Sequence, residues 1–182
     1  GTQLNMNVNE VIAGRANELA GAGRGGREPV HPNDHVNRCQ SSNDVIPTAL
    51  HTAAILQTDH ALLPALTALE RTLAARMGVL GDRVKTGRTH LMDAVPITVG
   101  QELESWLHLV QAGKRRVEAA REELTTVPLG GTAVGTGLGA PRGFATRAVA
   151  ALAEITGCAL AATDAPLCDL VVERVALLAV EK

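Results

Sequence analysis

Aromatic residues are nearly missing from this chain: one Phe, one Trp and no Tyr stand among 182 residues. Core volume must therefore come from Leu, Val, Ile and Ala, which suits close helix packing and points to an all-α protein. Cysteine is sparse as well. Cys39, Cys158 and Cys168 are odd in number and form no Cys-x-x-Cys pair, so neither a disulfide framework nor a zinc site is supported. A reducing cytoplasm is the expected compartment. The net charge of −2, with both signs interspersed, leaves no basic face for phosphate backbones and sets nucleic acid aside as a partner. No apolar run reaches the roughly 18 to 20 residues that span a bilayer, so no membrane partner is expected. No alternating strand segment, internal repeat or low-complexity tract stands out.

A hydrophobic content of 46% is enough for a core. Residues 1 to about 40 read as mostly loop, with a short helix around Asn9 to Leu19 and a glycine patch from Gly21 to Gly26. From Asn43 the pattern changes. Ile55, Leu62, Leu66, Leu69, Leu73 and Met77 recur at multiples of three or four, as one face of a long helix does. Pro47 is tolerable in a first turn, whereas Pro64 removes a backbone donor inside the run and should kink or split the helix. After a connection from Gly81 to Pro96, a second long helix is expected over Thr98 to Leu124. The glycine-rich Pro128 to Gly139 reads as a loop, followed by helices over Arg142 to Thr156 and roughly Ala165 to Val180. The chain starts at Gly1 without a Met, inside a motif, and stops at Lys182 on an apolar-periodic segment. A fragment of a longer protein is therefore expected.

Three polar islands interrupt the Ala, Leu and Val background: Gly1 to Asn7, His31 to Asp44 and Gly87 to Leu91. Ser41-Ser42-Asn43 falls at a helix N-terminus, where unpaired N–H groups and partial positive charge suit a carboxylate. Plain capping is the simpler reading of the triplet taken alone. His31-Pro32-Asn33-Asp34-His35 puts two histidines four apart, but Pro32 opposes the helix that would align them on a metal, so a hydrogen-bonded turn is favoured. Thr89 and His90 place a hydroxyl and an imidazole beside Arg88, fit for acid/base work or for orienting water, although such a His is more often structural. The Gly130 to Gly139 loop lacks the Gly-Lys-Ser/Thr ending of a phosphate loop. Ser105 and His108 share a helix face without a strained nucleophile turn. They read, with His51 and His60, as surface or packing residues.

Taken together these motifs resemble the class II fumarase branch of the fumarase/aspartase superfamily, over roughly residues 1 to 160. The resemblance rests on Gly1-Thr2-Gln3-x-Asn5-Met6-Asn7-Val8-Asn9-Glu10, the His31 to Asp44 block, Gly87-Arg88-Thr89-His90-Leu91-x-Asp93-Ala94-x-Pro96 and Leu129-Gly130-Gly131-Thr132-Ala133-Val134-Gly135-Thr136-Gly137. Gln3, His31, Ser42, His90 and Gly131 look like fumarase, where aspartase typically shows Ser, Asn, Thr, Gln and Ala. Cys39 is more aspartase-like, and Leu4 and Gly139 stand where fumarases usually carry Ser and Asn.

The resemblance implies an all-α lyase of the tricarboxylic acid cycle that adds water reversibly to fumarate, giving malate, without metal or organic cofactor. It implies that Gly1, Thr2, Ser41, Ser42, Asn43 and Thr89 bind the dicarboxylate and nearby water, and that His90 orients water or relays a proton. His31, Pro32, Asn33 and Asp34 would form an accessory anion site. Family enzymes stabilise a carbanion as an aci-carboxylate, which requires donors already aimed at the new charge. The family's proton acceptor, a Ser on a Gly-Ser-Ser loop followed by Lys and Asn, has no counterpart between Gly1 and Lys182. The chain after Cys158 also departs from the family pattern. The resemblance further implies a cytoplasmic homotetramer with sites shared between subunits, residues 1–38 closing an N-terminal domain and 39–182 opening a central helical bundle. Two other readings stand beside it: an aspartase-like ammonia lyase, and a catalytically inactive helical assembly module.

Overall fold

A computed structural model describes residues 1–170. They divide into two compact units, one joining Gly1–Ile55 to the chain from Glu123 onward, the other Leu56–Glu122. Helices dominate, in keeping with the all-α expectation, and among the described residues no helix is long and apolar enough to cross a membrane.

The first unit opens with helix α1, Thr2–Leu19, whose buried face is Asn5, Asn9, Ala13 and Asn17 at a spacing of four. Leu4, Val8, Val11, Ile12 and Leu19 are exposed instead. Buried amides are tolerable only when hydrogen-bonded, and these are. Asn17 Nδ2 donates to the carbonyls of Gly26 (2.9 Å) and Val30 (3.0 Å), while its Oδ1 accepts the Val30 N–H at 2.7 Å. Asn5 and Asn9 donate to Asn37 Oδ1 at 3.3 and 3.0 Å. These tertiary bonds carry the helix through Asn-rich residues of weak intrinsic propensity, which corrects the expectation of a loop before Asn9.

Helix α2, Ser42–Gln57, buries Asp44, Pro47, Thr48, His51, Thr52 and Ile55. Pro47 lies in its second turn rather than its first. His51 is a packing residue whose Nδ1 lies 3.1 Å from the Thr126 carbonyl. Strands β3, Thr126–Val127, and β4, Ala161–Ala162, pair in parallel, with helix α5, Phe144–Thr156, between them in the chain. Ile55, Val127, Val149 and Pro128 are among its most fully buried side chains. Of the helix expected over Ala165 to Val180, the described part is α6, Pro166–Asp169. The remainder lies outside the described residues.

In the second unit a π-helical turn, Thr58–Leu62, leads into helix α3, Leu63–Leu80. Pro64 explains the turn: without an N–H, and with a ring that crowds the carbonyl four residues back, it disrupts regular α pairing. The expected kink therefore takes the form of a π turn. Helix α4, Val99–Glu123, starts at a reciprocal cap in which Thr98 N–H donates to Gln101 Oε1 and Gln101 N–H to Thr98 Oγ1. Lys114 Nζ ties α4 to Thr67 and Glu70 of α3, and Arg121 makes a forked pair with Asp59. The hydrogen bond from Arg121 holds the Asp59 carboxyl below its ordinary 3.8, against the opposing effect of burial.

The connection between α3 and α4 is a β-hairpin, not the strand-free segment expected. Strand β1, Val84–Thr89, pairs antiparallel with β2, Met92–Thr98, with an irregularity at Gly87. A Cβ at Gly87 would lie 2.7 Å from the Val95 carbonyl oxygen. Only glycine fits that approach.

Candidate active site

Helices α1 and α2 bring their N-termini together. Thr2 and Ser42, the first residues of the two helices, place their hydroxyl oxygens 3.2 Å apart. Gly1, the N-cap of α1, packs against Ile46 of α2, where an added Cβ would meet Ile46 Cγ1 at 3.2 Å. The α1 start has no side-chain cap, so it contributes unpaired N–H groups and about half a positive charge, whereas the first turn of α2 carries Asp44. No acidic residue occupies the first turn of α1. The uncapped α1 terminus and the two hydroxyls together offer donors to a small anion.

Ser41 and Asp44 build the α2 terminus as a capping box. The Asn43 N–H donates to Ser41 Oγ at 3.2 Å, and the Ser41 N–H donates back to Asp44 Oδ1 at 2.9 Å. The glycine loop closes on this end of α2. Asn43 Nδ2 donates to the Ala133 carbonyl at 2.9 Å, and Asp44 Oδ2 accepts the N–H groups of Gly130 and Thr132 at 3.0 and 2.8 Å. Cys39, with φ of 64°, directs its Sγ to the Gly139 carbonyl at 3.5 Å. The structure thus gathers Gly1, Thr2, Ser41, Ser42 and Asn43 in one place and adds the loop from Gly130 to Gly139.

His31, Pro32, Asn33 and Asp34 fold as the expected hydrogen-bonded turn, with Pro32 opening a π-helical turn over Pro32–Val36. His31 Nδ1 accepts the N–H groups of Asn33 and Asp34, both at 3.2 Å, and the His31 N–H donates to His35 Nδ1 at 2.8 Å. Both rings thus turn Nδ1 toward backbone N–H groups of the turn. Asp34 Oδ2 lies 3.2 Å from His31 Nδ1. An open groove lined by Arg27, Glu28, Pro29, His31, Asp34 and His35 adjoins the turn. Among the described residues no three His, Cys, Asp or Glu side chains gather as a metal-ion site.

Thr89 and His90 belong to the other unit, at the tip of the β1–β2 hairpin. Thr89 pairs with Met92, so His90 and Leu91 form a two-residue turn with φ of 49° and 61°. Positive φ at both central positions is what a tight hairpin requires, yet here neither residue is glycine. Leu91 is 99% exposed. Arg88 Nε donates to Asp93 Oδ1 at 2.9 Å across the strands below the turn.

A family model described as lyase matches residues 1–180. The chain belongs to the lyase family. Within that family it is 56% identical over 157 residues to the class II fumarate hydratase of Pseudomonas syringae pv. tomato, covering 86% of this chain and 34% of that protein. The class II fumarate hydratase of Thermosynechococcus vestitus is 52% identical over the same shares. Among solved structures, a fumarate lyase:delta crystallin from Brucella melitensis bound to cobalt superposes with a TM-score of 0.85 at 42% identity, covering 92% of this chain and 36% of that one. The class II fumarase of Schistosoma mansoni gives 0.80 at 43% identity, over 86% and 33%. This lyase chain spans about a third of the length of the curated relatives it matches.

Asp44, the last residue of the polar run from His31, joins this cluster although the sequence alone does not single it out. Ser41-x-x-Asp44 is a capping-box spacing, in which the fourth residue reaches back to the first. The bonds from Asp44 to a loop 86 and 88 residues away have no such local signature.

Proposed function

We propose that the full-length protein is a class II fumarase-like lyase of the tricarboxylic acid cycle, which hydrates fumarate reversibly to malate. One observation carries this reading: the N-termini of α1 and α2 meet at Thr2 and Ser42, where the two hydroxyls and the uncapped start of α1 would hold a small anion. The names of the relatives in the lyase family supply the anion's identity, a dicarboxylate.

In the forward reaction water adds across the carbon–carbon double bond, with hydroxide on one carbon and a proton on the other. Gly1, Thr2, Ser41, Ser42, Asn43 and Thr89 would hold the carboxylates, and His90 would orient the water or relay its proton. Negative charge moves onto one carboxylate as the carbanion forms, so donors fixed before reaction lower the barrier most. The reading needs acid/base chemistry only, without metal or organic cofactor. His31, Pro32, Asn33 and Asp34 would serve an accessory anion site, with Arg27 beside the same groove. In the same reading the protein is a cytoplasmic homotetramer that shares its sites between subunits, with residues 1–38 closing one domain and 39–182 opening a helical bundle.

The test follows fumarate by its ultraviolet absorbance with purified full-length protein. Interconversion of fumarate and malate is expected. Deamination of aspartate without hydration of fumarate would replace this reading with an ammonia lyase, and no conversion of any of the three would leave the assembly-module reading standing.

A further inference from the structure

The geometry points to Asp44 as a positioning residue that sets the separation between the N-terminus of α2 and the Gly130–Thr132 loop, and through it the affinity for the dicarboxylate. The inference rests on the anion-site reading proposed above. Asp44 is completely buried. One carboxylate oxygen accepts the Ser41 N–H at 2.9 Å; the other accepts the N–H groups of Gly130 and Thr132 at 3.0 and 2.8 Å. These three bonds engage both oxygens within the protein, so Asp44 acts on substrate only through the groups it holds.

The two ends of this clamp differ in what they need. At the helix end, Ser41 is held through its own N–H, and its hydroxyl in turn holds Asn43. Any shift of the carboxylate moves both residues assigned to the substrate. At the loop end, Thr132 sits at φ of 59°, a conformation that disfavours a branched side chain, and Gly130 at φ of 95°. A Cβ at Gly130 would come within 2.6 Å of Ala145 Cβ. Thr132 is therefore held in a conformation it does not prefer, whereas Gly130 suits its own and leaves room for Ala145. Two N–H···O⁻ bonds, roughly twice as strong as neutral ones, offset that preference. A plain helix cap needs only one of the two oxygens. The second, spent on a loop 86 residues away, is what a spacer adds.

Asp44→Asn keeps the size but turns one acceptor into an NH2 that must face an N–H. In the protein expressed at full length, kcat/KM is expected to fall by about 100-fold, as for a misplacement near 1 Å, with most of the loss in KM. Hydrogen exchange at the Gly130 and Thr132 amides is expected to be slow in the wild type and much faster in the variant. Adding Thr132→Gly to Asp44→Asn should recover part of KM, because glycine holds a positive φ without an anchor. A variant with lowered melting temperature but wild-type KM and kcat would reduce Asp44 to a structural cap and overturn the inference. So would fast exchange of the two amides in the wild type, a measurement that does not depend on the variant folding. Failure of the wild type to convert fumarate, with the two amides protected, would instead count against the proposed reaction and leave the clamp standing.

Discussion

The Thr2 hydroxyl lies 3.2 Å from the Ser42 hydroxyl although 40 residues separate them in the chain. Each is the first residue of its helix, so one hydrogen bond joins two helix starts.

That pairing predicts non-additive kinetics. Thr2→Val and Ser42→Ala should each lower kcat/KM for fumarate by about tenfold, the loss of one hydrogen bond worth roughly 1 to 1.5 kcal/mol. Because each removes the other's partner, the double variant should lose less than the sum, with a coupling energy above about 0.5 kcal/mol. Strict additivity in steady-state kinetics would mean the two hydroxyls act on substrate independently.

His90 stands at φ of 49° in the hairpin turn, so most substitutions would disturb backbone and chemistry together. Asn tolerates that region better than most other non-glycine residues, which makes His90→Asn the cleaner probe. Turnover should fall by about 10²- to 10⁴-fold, the usual contribution of a positioned acid/base group, with the hairpin intact by circular dichroism and melting. Near wild-type turnover would remove His90 from the mechanism.

The helices could be read from sequence wherever apolar spacing or a local cap announced them. Thr98-x-x-Gln101 opens α4 within one residue of the expected start, and Pro64 marks the break before α3. Features set by distant partners were not legible. Asn5 and Asn9 look like loop residues until Asn37 satisfies them, and the hairpin carries no apolar alternation because nearly all of β1 and β2 is exposed or half-exposed. The same division runs through the site. Ser41 to Asn43 announce a helix start, whereas the approach of Gly130 to Ala133 depends on contacts about ninety residues away.

Asp59 and Arg121 predict a pH dependence of stability. The Asp59 carboxyl titrates below its ordinary 3.8 because Arg121 hydrogen-bonds its charged form. A depressed folded-state value means that the contribution is present above the unfolded value and lost as pH falls through the folded one. Asp59→Asn should therefore destabilise the protein at pH 7 by about 0.5 to 1 kcal/mol, the scale of a partly exposed pair. The gap from wild type should close below pH 3.8. Denaturant melts at several pH values test this, and a gap that stays constant down the acid limb would assign the pair no electrostatic role.

Asn17 predicts the largest loss of stability among the α1 asparagines. It is completely buried, and it satisfies two carbonyls and one N–H of the Gly26 to Val30 segment by itself. Asn17→Ala leaves those three groups to find water or stay unpaired, at about 1 to 3 kcal/mol for each that stays buried. A total loss of roughly 2 to 4 kcal/mol is expected. Asn17→Asp should be no better, because its second oxygen would face the Gly26 and Val30 carbonyls in place of a donor. Asn5→Ala and Asn9→Ala, which each remove one bond to Asn37, should cost less. Urea midpoints of the full-length variants rank them. A shift for Asn17→Ala no larger than that for Asn9→Ala would show that water satisfies the segment once the amide is gone.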